Sequence, residues 1–106
     1  MNLLDYFRME KAGEVKIRYV IKGTSKGYNV TYKCGSGNCK VIQEGNVPKG
    51  WSHSFKVHRG DYFFLAAQAN NSQSSVELKV YRNGKVLNRL VKEGNYPLVS
   101  ASGTVN

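Results

Sequence analysis

The chain has 106 residues, enough for one domain and not for two. Lys and Arg number 16 against 7 Asp and Glu, a formal charge of +9, with 41% hydrophobic and 11% aromatic residues. These values exclude a disordered tail, a collagen-like fibre and a dense disulfide scaffold, and a self-contained enzyme is hard to fit into so small a β-rich chain.

Residues 1–13 read as an N-terminal arm or short helix, because Leu3, Leu4 and Phe7 fall near helical spacing while Asp5 and Glu10 face away. From Glu14 the period changes to two, and a single β-sandwich domain is expected over residues 14–106. Val15, Ile17, Tyr19 and Ile21 alternate with Lys16, Arg18, Val20 and Lys22, which is a half-buried strand with a basic outer face. Tyr28, Val30, Tyr32 and Cys34 form the apolar side of a second strand, and Cys39 to Glu44 returns from the loop Gly35-Ser36-Gly37-Asn38. A longer connection runs from Gly45 to Gly50 with Pro48 inside it. Trp51, His53, Phe55 and Val57 then alternate with Ser52, Ser54 and Lys56.

Tyr62 to Ala69 is apolar on both faces, which predicts a central strand. Val76, Leu78 and Val80 mark the inner face of the next strand. Asn83-Gly84 is the strongest local signal, a type I′ hairpin between Val80-Tyr81 and Val86-Leu87. A last extended segment is expected from Tyr96 to Val105. Seven or eight short strands with no helical pattern between them imply an all-β, antiparallel sandwich or a small barrel. The predicted interior is Tyr19, Tyr32, Trp51, Phe55, Phe64, Leu78 and Val80.

The longest uninterrupted apolar run, Tyr62 to Ala67, is far short of the ~20 residues of a spanning helix. Asp5 and Arg8 interrupt any signal-peptide core, so the chain reads as cytosolic or as the soluble part of an exported protein whose leader was removed. The cysteines bear on that choice. Cys34 and Cys39 flank four loop residues, within disulfide reach across a hairpin, and an oxidised pair points to export.

With His53 and His58 the same cysteines spell C-x4-C-x13-H-x4-H, close to a zinc-finger spacing. A finger needs a helix for its histidines, and on a strand positions 53 and 58 face opposite ways, so no metal is expected. Ser52 and Ser54 cannot pair with His53 for the same reason, the carboxylates are scattered, and no phosphate loop opens a helix. No catalytic residue and no cofactor are expected.

Charge is the remaining signal. Between Glu14 and Glu44 lie Lys16, Arg18, Lys22, Lys26, Lys33 and Lys40 with no acid among them. Lys16, Arg18 and Lys22 share one solvent face of one strand. With Lys33 and Lys40 they are the candidates for holding an anionic partner. The competing reading is a solvated edge strand whose lysines prevent edge-to-edge pairing.

The stretch from Val15 to Val105 resembles the soluble domain of the mycobacterial membrane protein small (MmpS) family. The opening strand Val15 to Gly23 resembles the family's V-x-Y-x-V-x-G, and Asn29-Val30-Thr31-Tyr32 its second strand. Val47-Pro48-Lys49-Gly50-Trp51-Ser52 resembles the V-x-LPW-S link with two residues inserted. Ala66-Ala67-Gln68-Ala69 and Val80 to Val86 resemble the A-Q strand and the D-G hairpin. The resemblance implies an immunoglobulin-like sandwich, anchored or secreted, in the periplasm or at the cell surface, that assists a resistance-nodulation-division exporter. The expectation is a non-catalytic, monomeric envelope domain that binds a protein, an anionic glycan or a lipid headgroup. It would meet the membrane only through an anchor outside this chain. The alternative is a cytosolic basic β-barrel that binds nucleic acid, motivated by the charge of +9.

Overall fold

The computed structural model describes residues 14–35 and 39–105. The expected N-terminal arm or helix over residues 1–13 and the tip of the cysteine loop, Ser36 to Asn38, lie outside the described residues. Eight antiparallel strands follow one another: β1 Glu14–Gly23, β2 Tyr28–Lys33, β3 Val41–Val47, β4 Ser52–His58, β5 Tyr62–Ala69, β6 Ser74–Arg82, β7 Lys85–Gly94 and β8 Leu98–Thr104. They form two four-stranded sheets, ordered β4-β1-β6-β7 and β3-β2-β5-β8. The architecture is a β-sandwich, as the period-two pattern predicts.

Inner faces supply the core. Val15, Ile17, Tyr19 and Ile21 of β1 and Val76, Leu78 and Val80 of β6 pack against Tyr28, Val30 and Tyr32 of β2 and Phe63, Leu65, Ala67 and Ala69 of β5. The Tyr19 hydroxyl crosses between the sheets. It donates to the Lys33 carbonyl at 3.2 Å and accepts from the Phe64 amide at 3.3 Å, so the largest buried polar tip is satisfied. Phe55 of the edge strand β4 and Trp51 just before it are half-buried and pack on this core.

Phe64 is a correction. It lies on the outer side of β5, half-buried, and Phe63 takes the interior place. Phe63 stands opposite Gly103, where a Cβ would lie 3.0 Å from the ring, so the missing side chain makes room for it. A strand that is apolar on both faces has no alternation to set its phase, and cross-strand partners set it here.

β1 corrects a second expectation. Hydrogen-bonded to β4 on one side and to β6 on the other, it is an interior strand and not an edge. Its end is drawn close to β6 at Gly23 (φ 142°), where a Cβ would stand 2.2 Å from the Ser75 carbonyl oxygen. β7 is also longer than the hairpin signal suggests. The Asn83-Gly84 turn has φ of 50° and 84°, as type I′ requires, and beyond it the strand continues to Gly94.

Candidate basic binding face

The outer face of the first sheet follows from strand parity and register. Even-numbered residues of β1 point outward, and residues directly opposite one another in an antiparallel pair share a face. Lys16 lies opposite Lys56 of β4, and Arg18 opposite Ser54 of β4 and Tyr81 of β6. Val20 lies opposite Lys79 and Lys22 opposite Glu77; Lys79 in turn faces Arg89 of β7. One sheet face thus gathers Lys16, Arg18, Lys22, Lys56, Lys79 and Arg89 against Glu14, Glu77 and Glu93.

Glu77 and Glu14 are already engaged. Glu77 holds Arg89 at 2.6 Å and Lys79 at 4.0 Å, and Glu14 meets Lys56 at 4.0 Å. Although Glu77 sits across from Lys22, its oxygens turn toward Arg89. Among the described residues no carboxylate pairs with Lys16, Arg18 or Lys22. The Arg18 guanidinium lies 4.8 Å from the centroid of the Tyr81 ring, which holds it by a cation–π contact.

A depression of about 160 Å³ lies here, lined by Lys16, Arg18, Tyr81 and Gly84. Its floor is held by the hairpin. The Asn83 amide donates to the Lys16 carbonyl at 2.8 Å, and the Asn83 side-chain oxygen accepts from the Lys16 amide at 2.9 Å. The turn is thereby tied to β1, and two cationic side chains meet beside one aromatic ring. Such a site can take a carboxylate, sulfate or phosphate with a ring or apolar body next to it.

The structure brings Lys16, Arg18 and Lys22 together and separates Lys33 and Lys40 from them. Lys33 is 2% exposed; its ammonium donates to the Gly35 carbonyl and lies 4.8 Å from the Tyr62 ring centroid. Satisfied and enclosed, it is not available to a partner. Lys40 is exposed, but on the cysteine hairpin of the other sheet. Tyr81, Lys56, Lys79 and Arg89 were not legible as members of the face. Only strand pairing brings them there, although the outward parity of Lys56 and Lys79 within their own strands was a usable signal.

The cysteines are joined as expected, Cys34 to Cys39 with Cα atoms 5.7 Å apart. The bond closes the β2–β3 hairpin. His53, half-buried among Tyr19, Tyr32, Trp51 and Phe55, places Nε2 3.0 Å from the Cys34 carbonyl oxygen. His58 is exposed and lies in the turn with Asp61, whose carboxylate accepts from the His58 amide at 2.8 Å. Both cysteines are thus spent, and the histidines serve separate environments.

No protein-family profile matches the chain, and no curated protein matches it. Among solved structures, the crystal structure of a DUF4425 family protein from Bacteroides ovatus ATCC 8483 is similar, with a TM-score of 0.54 and 17% identity. The match covers 85% of this chain and 94% of that one. The likeness is one of fold.

Proposed function

We propose that this chain is a non-catalytic binding or accessory domain of the bacterial cell envelope, an immunoglobulin-like sandwich that holds an anionic partner on the outer face of its first sheet. The observation that carries this reading is the position of Lys16, Arg18 and Lys22 on an interior strand. Lysines on an edge strand have a sufficient explanation in preventing aggregation. On an interior strand that explanation is gone, and like charges on one face, paired with no carboxylate among the described residues, cost stability unless a partner balances them. The Cys34–Cys39 bond supports an oxidising compartment. Assistance to a resistance-nodulation-division exporter, which the resemblance to the MmpS family implies, would use this face against an acidic protein surface.

A second reading, nucleic-acid binding, is favoured by one feature: Tyr81 is an aromatic ring set among the cations, where a base could stack. Retention of the parent and of a Lys16→Glu, Arg18→Glu, Lys22→Glu variant on immobilised sulfated glycan, anionic lipid vesicles and single-stranded DNA tests both. The parent is expected to bind the glycan or the vesicles and to be released by salt, since exposed charges are screened over roughly 8 Å at physiological ionic strength. The variant is expected to flow through. Equal retention of parent and variant would remove the face from the account, and preferential retention on DNA at physiological salt would select the second reading.

A further inference from the structure

We propose that the free edge of β7 is a strand-addition site that takes an extended acidic segment of a partner protein. The two sheets end in four edge strands, β4, β7, β3 and β8. Three are short or interrupted. β3 has seven residues, an irregular register against Tyr28 and Val30, and Asn46 at φ 55°, with Pro48 just beyond it. β8 has seven residues with Pro97 before it and Gly103 within it. β4 has seven residues, follows a turn at Gly50 (φ 86°), and turns Ser52, Ser54, Lys56 and His58 outward.

β7 is different. It runs for ten residues without proline, and its only glycine is the last residue. One register shift lies near the hairpin, and from Asn88 to Gly94 the pairing with β6 is regular. The side of this stretch turned away from β6 therefore offers a row of N–H and C=O groups that no other described strand pairs with. Apolar side chains flank it on both sheet faces: Leu90, opposite Leu78, is 38% exposed on the inner face, and Val91, opposite Glu77, is 50% exposed on the outer one. Val86 and Leu87 add 54% and 45% exposure at the hairpin end. A polysaccharide or headgroup has no use for this pattern, whereas an added strand uses the backbone row and covers alternate side chains.

Charge selects the occupant. β7 carries Lys85, Arg89 and Lys92 against Glu93; Glu77 of β6 already holds Arg89, and among the described residues no carboxylate pairs with Lys85 or Lys92. A second copy would bring the same two lysines to the same seam on a molecule of charge +9. A strand that alternates carboxylates with apolar residues can set its carboxylates on the inner face, the side of Lys85 and Lys92, and its apolar residues on the outer face, over Val86 and Val91. The site is separate from the face around Arg18, because β6 stands between β1 and β7.

The test uses an acetylated peptide of alternating Val and Glu, as long as β7, its Val-Lys counterpart, and amide hydrogen exchange read residue by residue. The Val-Glu peptide is expected to slow exchange by about tenfold or more at those amides of Asn88–Gly94 that point away from β6, and the Val-Lys peptide to leave them unchanged. Neighbouring residues of a strand point their N–H groups in opposite directions, so one of Leu90→Pro and Val91→Pro leaves the pairing with β6 whole. The variant that keeps the parent's melting temperature is expected to lose the protection. The Lys16→Glu, Arg18→Glu, Lys22→Glu variant is expected to keep it, which separates this site from the basic face. Three results would overturn the proposal: no protection of β7 by the acidic peptide, equal protection by both peptides, or a parent dimer in sedimentation that the same proline abolishes.

Discussion

β1 and β7 are both ten-residue strands of one sheet, and they differ in almost every other respect. β1 is held on both sides, buries Val15, Ile17, Tyr19 and Ile21 on one face, and presents cations on the other. β7 is held on one side, and all of it but Asn88 is exposed. Burial on one face is what writes a period of two into a sequence. Where neither face is buried, no such selection acts, and what remains is a surface free to carry other information.

The contrast breaks most readily at the buried side. Leu78→Ala, on the inner face of β6 beside β1, should cost about 3 kcal/mol in chemical denaturation, whereas Leu90→Ala, opposite it on β7, should cost under about 1 kcal/mol. Equal losses would mean that β7 is as much a part of the core as β6. Gly23→Ala should cost at least about 2 kcal/mol, since the new Cβ would meet the Ser75 carbonyl and the φ of 142° disfavours it. An unchanged melting temperature would show that the β1 end is not pinned.

Reducing Cys34–Cys39, or replacing both residues with Ser, should cost about 2 kcal/mol, the closure entropy of a short loop. Thiol titration of the oxidised protein should find no free thiol. The buried tyrosines sharpen the contrast by pH. Burial first, then the hydrogen bond and charge of Glu44, push Tyr32 up to about 12, and burial raises Tyr19 as well. Their neutral forms are favoured in the fold, so the contribution is whole below an ordinary tyrosine pKa of 10.0 and fades as pH rises from there toward 12. The denaturation midpoint should fall across that window as tyrosinate absorbance appears, and a midpoint that stays flat would contradict it. The smallest effect is expected at the hairpin. Gly84→Ala should cost about 1 kcal/mol through φ alone, because nothing lies within 4 Å of its absent Cβ.

The legible parts of this fold were those that one-sided burial or turn chemistry had marked. Val76, Leu78 and Val80, Tyr28 to Tyr32, and Asn83-Gly84 identified their elements without help. Phe64 misled because Tyr62 to Ala69 is apolar on both faces, and the choice between Phe63 and Phe64 is made across the sheet by Gly103. The length of β7 was hidden because Val86-Leu87-Asn88-Arg89-Leu90-Val91 matches no single period. Of the basic candidates, the outward parity of Lys16, Arg18 and Lys22 was in the sequence. The neighbours that make them a site, Tyr81 and Lys79 on β6 and Lys56 on β4, depend on long-range pairing that local patterning does not encode. Lys33 shows the converse, a lysine whose burial follows from the Gly35 carbonyl and the Tyr62 ring.

The most direct test of the basic face is an amide NMR titration of the parent protein with a sulfated oligosaccharide at low salt. Perturbations are expected to centre on Lys16, Arg18, Lys79, Tyr81 and Gly84, to fade toward Cys39 and Lys40 on the other sheet, and to vanish as salt is added. Perturbations centred on Lys40 and the cysteine hairpin, or a response along β1 that survives high salt, would contradict the account.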